Sequence, residues 1–159
     1  MVAFTLSWDS VNTLFVRHAD AEPSSDDFKR LLSVEGKRQA SLAARALTES
    51  DLSTYQVFVS PATRTVKTWE IFCEILNLPP SFVLDASLYS EDARYCLDLI
   101  LANGQGNLVI VGHNPAISQA LTELTKRQIG LKPAEWVLVN YSPSEMTAET
   151  IAHHSRAEN

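Results

Sequence analysis

The sequence has little of what would anchor a protein to a membrane, a metal or a nucleic acid. No apolar run approaches the about 20 residues of a membrane-spanning helix, and the opening MVAFTLSWDS lacks the basic segment and long apolar stretch of a signal peptide. A soluble, cytoplasmic protein without a membrane partner is expected. There are only two cysteines, Cys73 in WEIFCEIL and Cys96 in RYCLDLIL. Both sit inside helix-like apolar patterns and match no metal-ligand spacing, which predicts buried free thiols. Basic residues are outnumbered, 13 Lys and Arg against 19 Asp and Glu, for a formal net charge of −6. Nucleic-acid binding rests on a broad cationic footprint, so nucleic acid is excluded as a partner, whereas a small cationic pocket is not. There is no carboxylate cluster suited to Mg²⁺ and no thiolate and histidine set suited to Zn²⁺, so neither metal nor cofactor is expected. No repeat, linker or low-complexity tract divides the chain. Its 159 residues, 45% of them hydrophobic, predict one domain over 1–159 with its core at about 12–142.

Three apolar, β-branched runs bounded by polar residues read as buried strands: TLFVRH (13–18), YQVFVSP (55–61) and NLVIVGHNP (107–115). Helical patterns lie between them. The first starts at a cap, Ser33, with Glu35 in its first turn and Ala40, Ala43, Ala44 and Leu47 on one face. The second starts at Pro61, a residue suited to the first helical turn, after Ser60, read as its cap. It carries Val66, Trp69, Phe72, Cys73 and Leu76 inward and stops at NLPP. Further helices are predicted in EDARYCLDLILANGQG and in AISQALTELTK. AEWVLVNYS (134–142) alternates like a strand, and TAETIAHHS is a candidate edge strand. His153 and His154 nevertheless read as part of a polar, disordered end. Trp69 and Trp136 read as core aromatics, and Trp8 as a cover for an edge or an interface. Strands separated by helices require right-handed crossovers, and so predict a three-layer α/β/α sandwich with a mainly parallel central sheet and helices on both faces.

In such sheets ligands bind beyond the carboxyl ends of the strands, and the unusual residues gather there. Arg17 and His18 end the first strand, Arg64 falls in the first turn of the second helix, and His113 ends the third strand. Two arginines and two histidines outline a pocket for an anion with several oxygens. Phosphate fits better than carboxylate, because each guanidinium clamps two oxygens and helix N-termini add N–H donors. A neutral imidazole can attack phosphorus and arginine cannot, so the histidines favour phosphoryl transfer over simple binding, one attacking while the other stabilises.

The segments VRHADAE, VSPATRTVKTWEI and VIVGHNPAIS, in this order, resemble the histidine phosphatase superfamily. RHADAE, LSVEGKRQA, GHNP and the small size are most similar to its short, SixA-type phosphohistidine phosphatase branch. The resemblance runs from about Leu14 to Leu124 and weakly through LKPAEWVLVNY. It implies a phosphoglycerate mutase-like fold and a metal-independent phosphatase. His18 would be the nucleophile, Arg17 and Arg64 would bind phosphoryl oxygens, and His113, with Asn114 beside it, would complete the clamp. Ala19 stands where the family usually has glycine, a change common in the short branch. The general acid has no clear counterpart. Ser90 lies near its expected place, and Asp20, Glu91 and Asp92 are the candidates. A weak acid favours a phosphorylated imidazole, which leaves as a neutral molecule, over an alkoxide. The implied substrate is phosphohistidine in a phosphotransfer protein, such as a histidine phosphotransfer domain, or a small phosphorylated compound. A broad phosphomonoesterase and a phospholigand-binding module with little turnover stand as alternatives.

Overall fold

The computed structural model describes residues 10–103 and 106–156; Trp8, read as a cover for an edge or interface, lies outside them. Six strands form one sheet: β1 (Val11–Arg17), β2 (Gln56–Val59), β3 (Val83–Leu84), β4 (Leu108–Gly112), β5 (Trp136–Ser142) and β6 (Thr147–His154). Their spatial order is β3-β2-β4-β1-β5-β6. The four strands β3, β2, β4 and β1 run parallel, while β5 and β6 are antiparallel to their neighbours. Among the described residues four helices complete the layers: α1 (Val34–Arg45), α2 (Thr63–Leu76), α3 (Arg94–Ala102) and α4 (Ala116–Thr125).

The central strands are apolar on both sides because both sides are covered. Leu14 and Val16 of β1, with Val109 and Val111 of β4, face a cluster that includes Ala40, Ala43 and Ala44 of α1 and Trp69, Phe72 and Cys73 of α2. Phe15, Leu108 and Ile110 point the other way, toward Cys96 and Ile100 of α3 and Ile117, Ala120 and Leu121 of α4. The period-2 geometry of a strand thus divides one continuous run between two cores. Small alanines let α1 lie close to the sheet. Both cysteines are free and buried, and burial pushes their thiols up, Cys73 to about 11 and Cys96 to about 12.

Two sequence expectations are corrected. The N-cap of α2 is Ala62, with no side-chain cap hydrogen bond, so Ser60 is not the cap. His153 and His154 do not lie in a disordered end, because they close β6, where the His154 ring stacks on Trp136 at 5.9 Å. The two-residue edge strand β3 and the single 3-10 turns at Asp27–Lys29 and Ala86–Tyr89 carry too little pattern to be read from sequence.

The chain leaving β1 is fastened to α1. Ser33 caps α1 by accepting the Gly36 N–H at 2.9 Å, and its hydroxyl donates to the Asp20 carboxylate at 2.6 Å. The Ser33 N–H donates to the Asp20 carbonyl at 3.0 Å, and Gln39 accepts the Asp20 N–H at 3.0 Å. A Cβ on Gly36 would lie 2.0 Å from the Asp20 carbonyl oxygen, a backbone atom that cannot swing aside. Gly36→Ala is therefore expected to cost about 1–3 kcal/mol, the range for overpacking. Urea unfolding measures it, and an unchanged midpoint would show that α1 does not bear on this loop.

Candidate active site

β1 and β4 pair in parallel with Arg17 opposite Gly112, so the residues that follow them, His18 and His113, emerge side by side. Their ring centroids are 5.2 Å apart, and the His18 N–H donates to the Gly112 carbonyl at 3.1 Å. On the other flank of β4, Val59 of β2 pairs with Val111, which brings Ser60 beside His113. Arg64, in the first turn of α2, reaches the same place and is buried.

The His18 Nδ1 lies 2.7 Å from the Ala19 carbonyl oxygen. That oxygen can only accept, so Nδ1 carries the proton and Nε2 keeps the lone pair. Burial holds His18 down to about 4, with Arg64, Arg17 and Arg30 pushing the same way against the opposing effect of the Ala19 bond. The ring is therefore neutral at pH 7. Ala19 donates its N–H to Thr68 Oγ1 at 3.0 Å and is not among the positive-φ residues, so this backbone does not require glycine there.

His113 uses both ring nitrogens. Nε2 lies 2.7 Å from Ser60 Oγ, and Nδ1 lies 3.3 Å from Arg64 Nη2. Because a guanidinium only donates, Nδ1 accepts and the neutral ring donates from Nε2 to the serine. Burial, with His18, Arg64 and Arg17 acting the same way against Asp27, lowers His113 to about 3. Arg64 donates from Nη1 to the Asp27 carbonyl at 2.7 Å and from Nη2 to the Asp27 carboxylate at 3.1 Å. Arg17 donates from Nη1 to the Leu131 carbonyl at 2.8 Å. The Nε–H groups of both arginines are buried without an acceptor among the described residues. Two neutral imidazoles beside two guanidinium groups with unsatisfied donors suit an oxyanion, since each such donor otherwise bears the full cost of desolvation.

Of the residues singled out from sequence, Arg17, His18, Arg64 and His113 come together. The others do not join them. Asn114 donates its amide to the Leu131 carbonyl at 2.8 Å and accepts from Ser118 at 2.5 Å, so it fastens the loop behind Arg17 instead of facing the histidines. Asp20 accepts from Ser33, and Asp92 pairs with Arg94 at 2.6 Å. Glu91 is exposed at a bend before α3. Two residues that the sequence did not reveal stand at the site instead. Asp27 binds Arg64, and Tyr89 donates its hydroxyl to the Asp27 carboxylate at 2.5 Å while its ring meets His113 edge-on at 5.5 Å. Asp27 sits in the acidic run SSDDFK, which reads as a solvated loop and gives no signal of this contact. Glu135 was also missed: its buried carboxylate accepts the Lys132 and Arg156 N–H groups, each at 2.8 Å, and holds the segment behind Arg17. Among the described residues no group of three His, Cys, Asp or Glu side chains is placed to hold a metal ion, and no helix is long and apolar enough to cross a membrane.

Comparison with known proteins adds a fold and a family profile that matches part of the chain. The profile of the histidine phosphatase superfamily (branch 1) matches residues 13–88. No curated protein matches the sequence. Among solved structures, the protein histidine phosphatase SixA complexed with tungstate is similar, with 22% identity, a TM-score of 0.79, and 91% of this chain and 97% of that one covered. A provisionally assigned phosphohistidine phosphatase SixA from Agrobacterium tumefaciens gives 20%, 0.80, 92% and 98%. A phosphoserine phosphatase from Entamoeba histolytica, in complex with 3-phosphoglyceric acid, is more distant, with 13%, 0.63, 92% and 98%. At these identities the likeness establishes the fold.

The buried histidines also bear on stability. In the folded chain both take up protons only near pH 4 and 3, whereas an unfolded histidine does so near its ordinary 6.5. Below pH 6.5 the unfolded state thus binds more protons, so their contribution is complete above that value and declines as pH falls toward 4 and 3. His113→Gln is expected to flatten the fall in urea midpoint between pH 6.5 and 4. Equal slopes in variant and parent would contradict the burial of a neutral ring.

Proposed function

We propose that this chain, whose residues 13–88 match the profile of the histidine phosphatase superfamily (branch 1), is a metal-independent phosphatase that transfers a phosphoryl group to His18 and then to water. The observation that carries this reading is the His18 ring: neutral, its Nδ1 proton committed to the Ala19 carbonyl, its Nε2 lone pair left beside His113 and Arg64. In the first step the Nε2 lone pair forms a bond to phosphorus while the bond from phosphorus to the leaving group breaks, and that electron pair departs with the leaving group. Arg17 and Arg64 donate to the equatorial oxygens through N–H groups that otherwise lack acceptors, and a phosphoryl dianion raises the proton affinity of His113 Nδ1 so that it too donates. In the second step a water oxygen attacks phosphorus, the P–Nε2 bond breaks, inorganic phosphate forms and His18 is regenerated. One water is consumed in each cycle.

The leaving group follows from the acids. Among the described residues, the carboxylate tied to Arg64 beside the histidines is Asp27, held down to about 2 chiefly by the Tyr89 hydrogen bond and then by Arg64, so it is ionised at pH 7 and has no proton to give. Such a site handles best a leaving group that needs little help, and the imidazole of phosphohistidine, already protonated on its far nitrogen, departs neutral. This supports phosphohistidine in a phosphotransfer protein, or a small phosphoramidate, as the substrate class, and a cytoplasmic location where such proteins act.

Rapid-quench labelling is the test. The unaltered chain is expected to form a phosphoenzyme that His18→Ala does not form, and normal labelling of that variant would remove His18 from the role. Arg64→Lys keeps the charge and loses the fork, with an expected loss of about 2 kcal/mol or more of transition-state stabilisation. Turnover on phosphohistidine protein and aryl phosphate should far exceed turnover on glycerol phosphate; fast hydrolysis of sugar phosphates would move the assignment to a broad phosphomonoesterase.

A further inference from the structure

We propose that Asp27 is a positioning residue for phosphoryl transfer, gripping one edge of the Arg64 guanidinium, itself tethered by Tyr89, so that the remaining Nε edge is presented to the phosphoryl group. The inference rests on the phosphatase reading above and adds to it a residue outside the set of two histidines and two arginines. Asp27 takes both terminal nitrogens of Arg64, Nη1 with its carbonyl at 2.7 Å and Nη2 with its carboxylate at 3.1 Å. A guanidinium is a rigid plane, so fixing those two nitrogens also fixes Nε, which is buried without an acceptor among the described residues. Nη2 lies between Asp27 and His113 Nδ1, at 3.1 Å and 3.3 Å, so the Nε and Nη2 edge opens on the side of the histidines.

The contact is not part of the core. The 3-10 turn that carries Asp27 has no buried residue, and the Asp27 side chain is 55% exposed where that of Arg64 is 7%. An exposed carboxylate that reaches a buried cation orders the cation more than it holds the fold. Tyr89 orders Asp27 in turn. Its hydroxyl donates to the same carboxylate oxygen at 2.5 Å, and its ring is braced edge-on between Phe28 at 5.3 Å and His113 at 5.5 Å. The clasp joins the segment after β1 to the segment before α3 across Arg64. Because Asp27 is an anion, removing it also relieves repulsion toward a bound phosphoryl group. Ground-state binding is therefore left little changed while orientation in the transition state is lost, which separates the effect on rate from the effect on saturation.

The experiment measures single-turnover phosphoenzyme formation from phosphoramidate in the full chain, for Asp27→Ala, Asp27→Asn and Tyr89→Phe, each alone and combined with Arg64→Ala. Asp27→Ala is expected to slow phosphoenzyme formation about tenfold with little change in the half-saturating concentration, and Asp27→Asn, which keeps an acceptor, to recover much of the rate. Tyr89→Phe should fall between them. In the Arg64→Ala background all three effects should shrink to within about twofold, since residues acting through one partner are not additive. A parental rate in Asp27→Ala overturns the proposal, and so does a loss that persists in full without Arg64. A chain that forms no phosphoenzyme at all would overturn the phosphatase reading instead. Asp27 is then read by magnetic resonance of isotope-labelled arginine. Distinct Arg64 Nη signals that merge in Asp27→Ala support the grip, and unchanged signals overturn it.

Discussion

The in-register parallel pairing of β1 with β4 is the constraint on which the site depends. With Arg17 opposite Gly112, the next residue on each strand is a histidine, and the main chain alone sets the two rings 5.2 Å apart. A slip of one residue would turn every side chain of β1 to the other face, taking Leu14 and Val16 from the core beneath α1 and α2 and moving His18 away from His113. The two cores therefore enforce the geometry of the site. The register that buries Leu14, Phe15 and Val16 on their proper faces is the one that brings the histidines together.

From that pair outward, each polar group is oriented by a neighbour, most often one belonging to a different element. The Ala19 carbonyl sets the tautomer of His18, Thr68 of α2 holds the Ala19 N–H, and Ser33 at the start of α1 and Gln39 within it hold Asp20. Ser60 at the end of β2 takes His113, and the Leu131 carbonyl takes both Arg17 and Asn114. Asp27, held in turn by Tyr89, takes Arg64 from outside. Groups in such a chain have little freedom to reorganise when charge develops, which is the condition under which fixed donors act most strongly on a transition state.

The sheet, the helices and the four groups at the strand ends were legible in the sequence because each is written locally. A β-branched run that ends in Arg-His, or in Gly-His, declares both a strand and its terminus. What escaped depends on contacts across long stretches of chain. Ser60 looks like a helix cap because Pro-Ala-Thr follows it, yet helix α2 begins two residues beyond Pro61, and the hydroxyl turns to a histidine 53 positions away. Asp27 and Tyr89 are 62 residues apart, and neither lies in a periodic pattern. The carboxylates Asp20 and Asp92 sit in motifs that invite a catalytic reading, but local partners, Ser33 and Arg94, satisfy them. His153 and His154 resemble a loose polar end because an edge strand needs only one apolar face, and here Trp136 supplies the surface on which His154 stacks.

Burial joins the chemistry of the site to its energetics. Desolvation is the largest cause of the depressed proton affinity of both histidines, and the nearby arginines add to it. The same environment that keeps the His18 ring neutral at pH 7 leaves two guanidinium Nε–H groups without acceptors among the described residues, a cost the fold carries until an oxyanion meets them. A phosphoryl group relieves both strains together: its oxygens satisfy the arginines, and its negative charge permits His113 to bind a proton that burial otherwise denies it. The charge arriving with the substrate therefore completes the electrostatics that the protein alone leaves unbalanced. Asp27 is held ionised by Tyr89 and Arg64, so in the proposed reaction the matching proton for the leaving group is the substrate's own. A phosphorylated imidazole brings such a proton, and an alkyl phosphate does not.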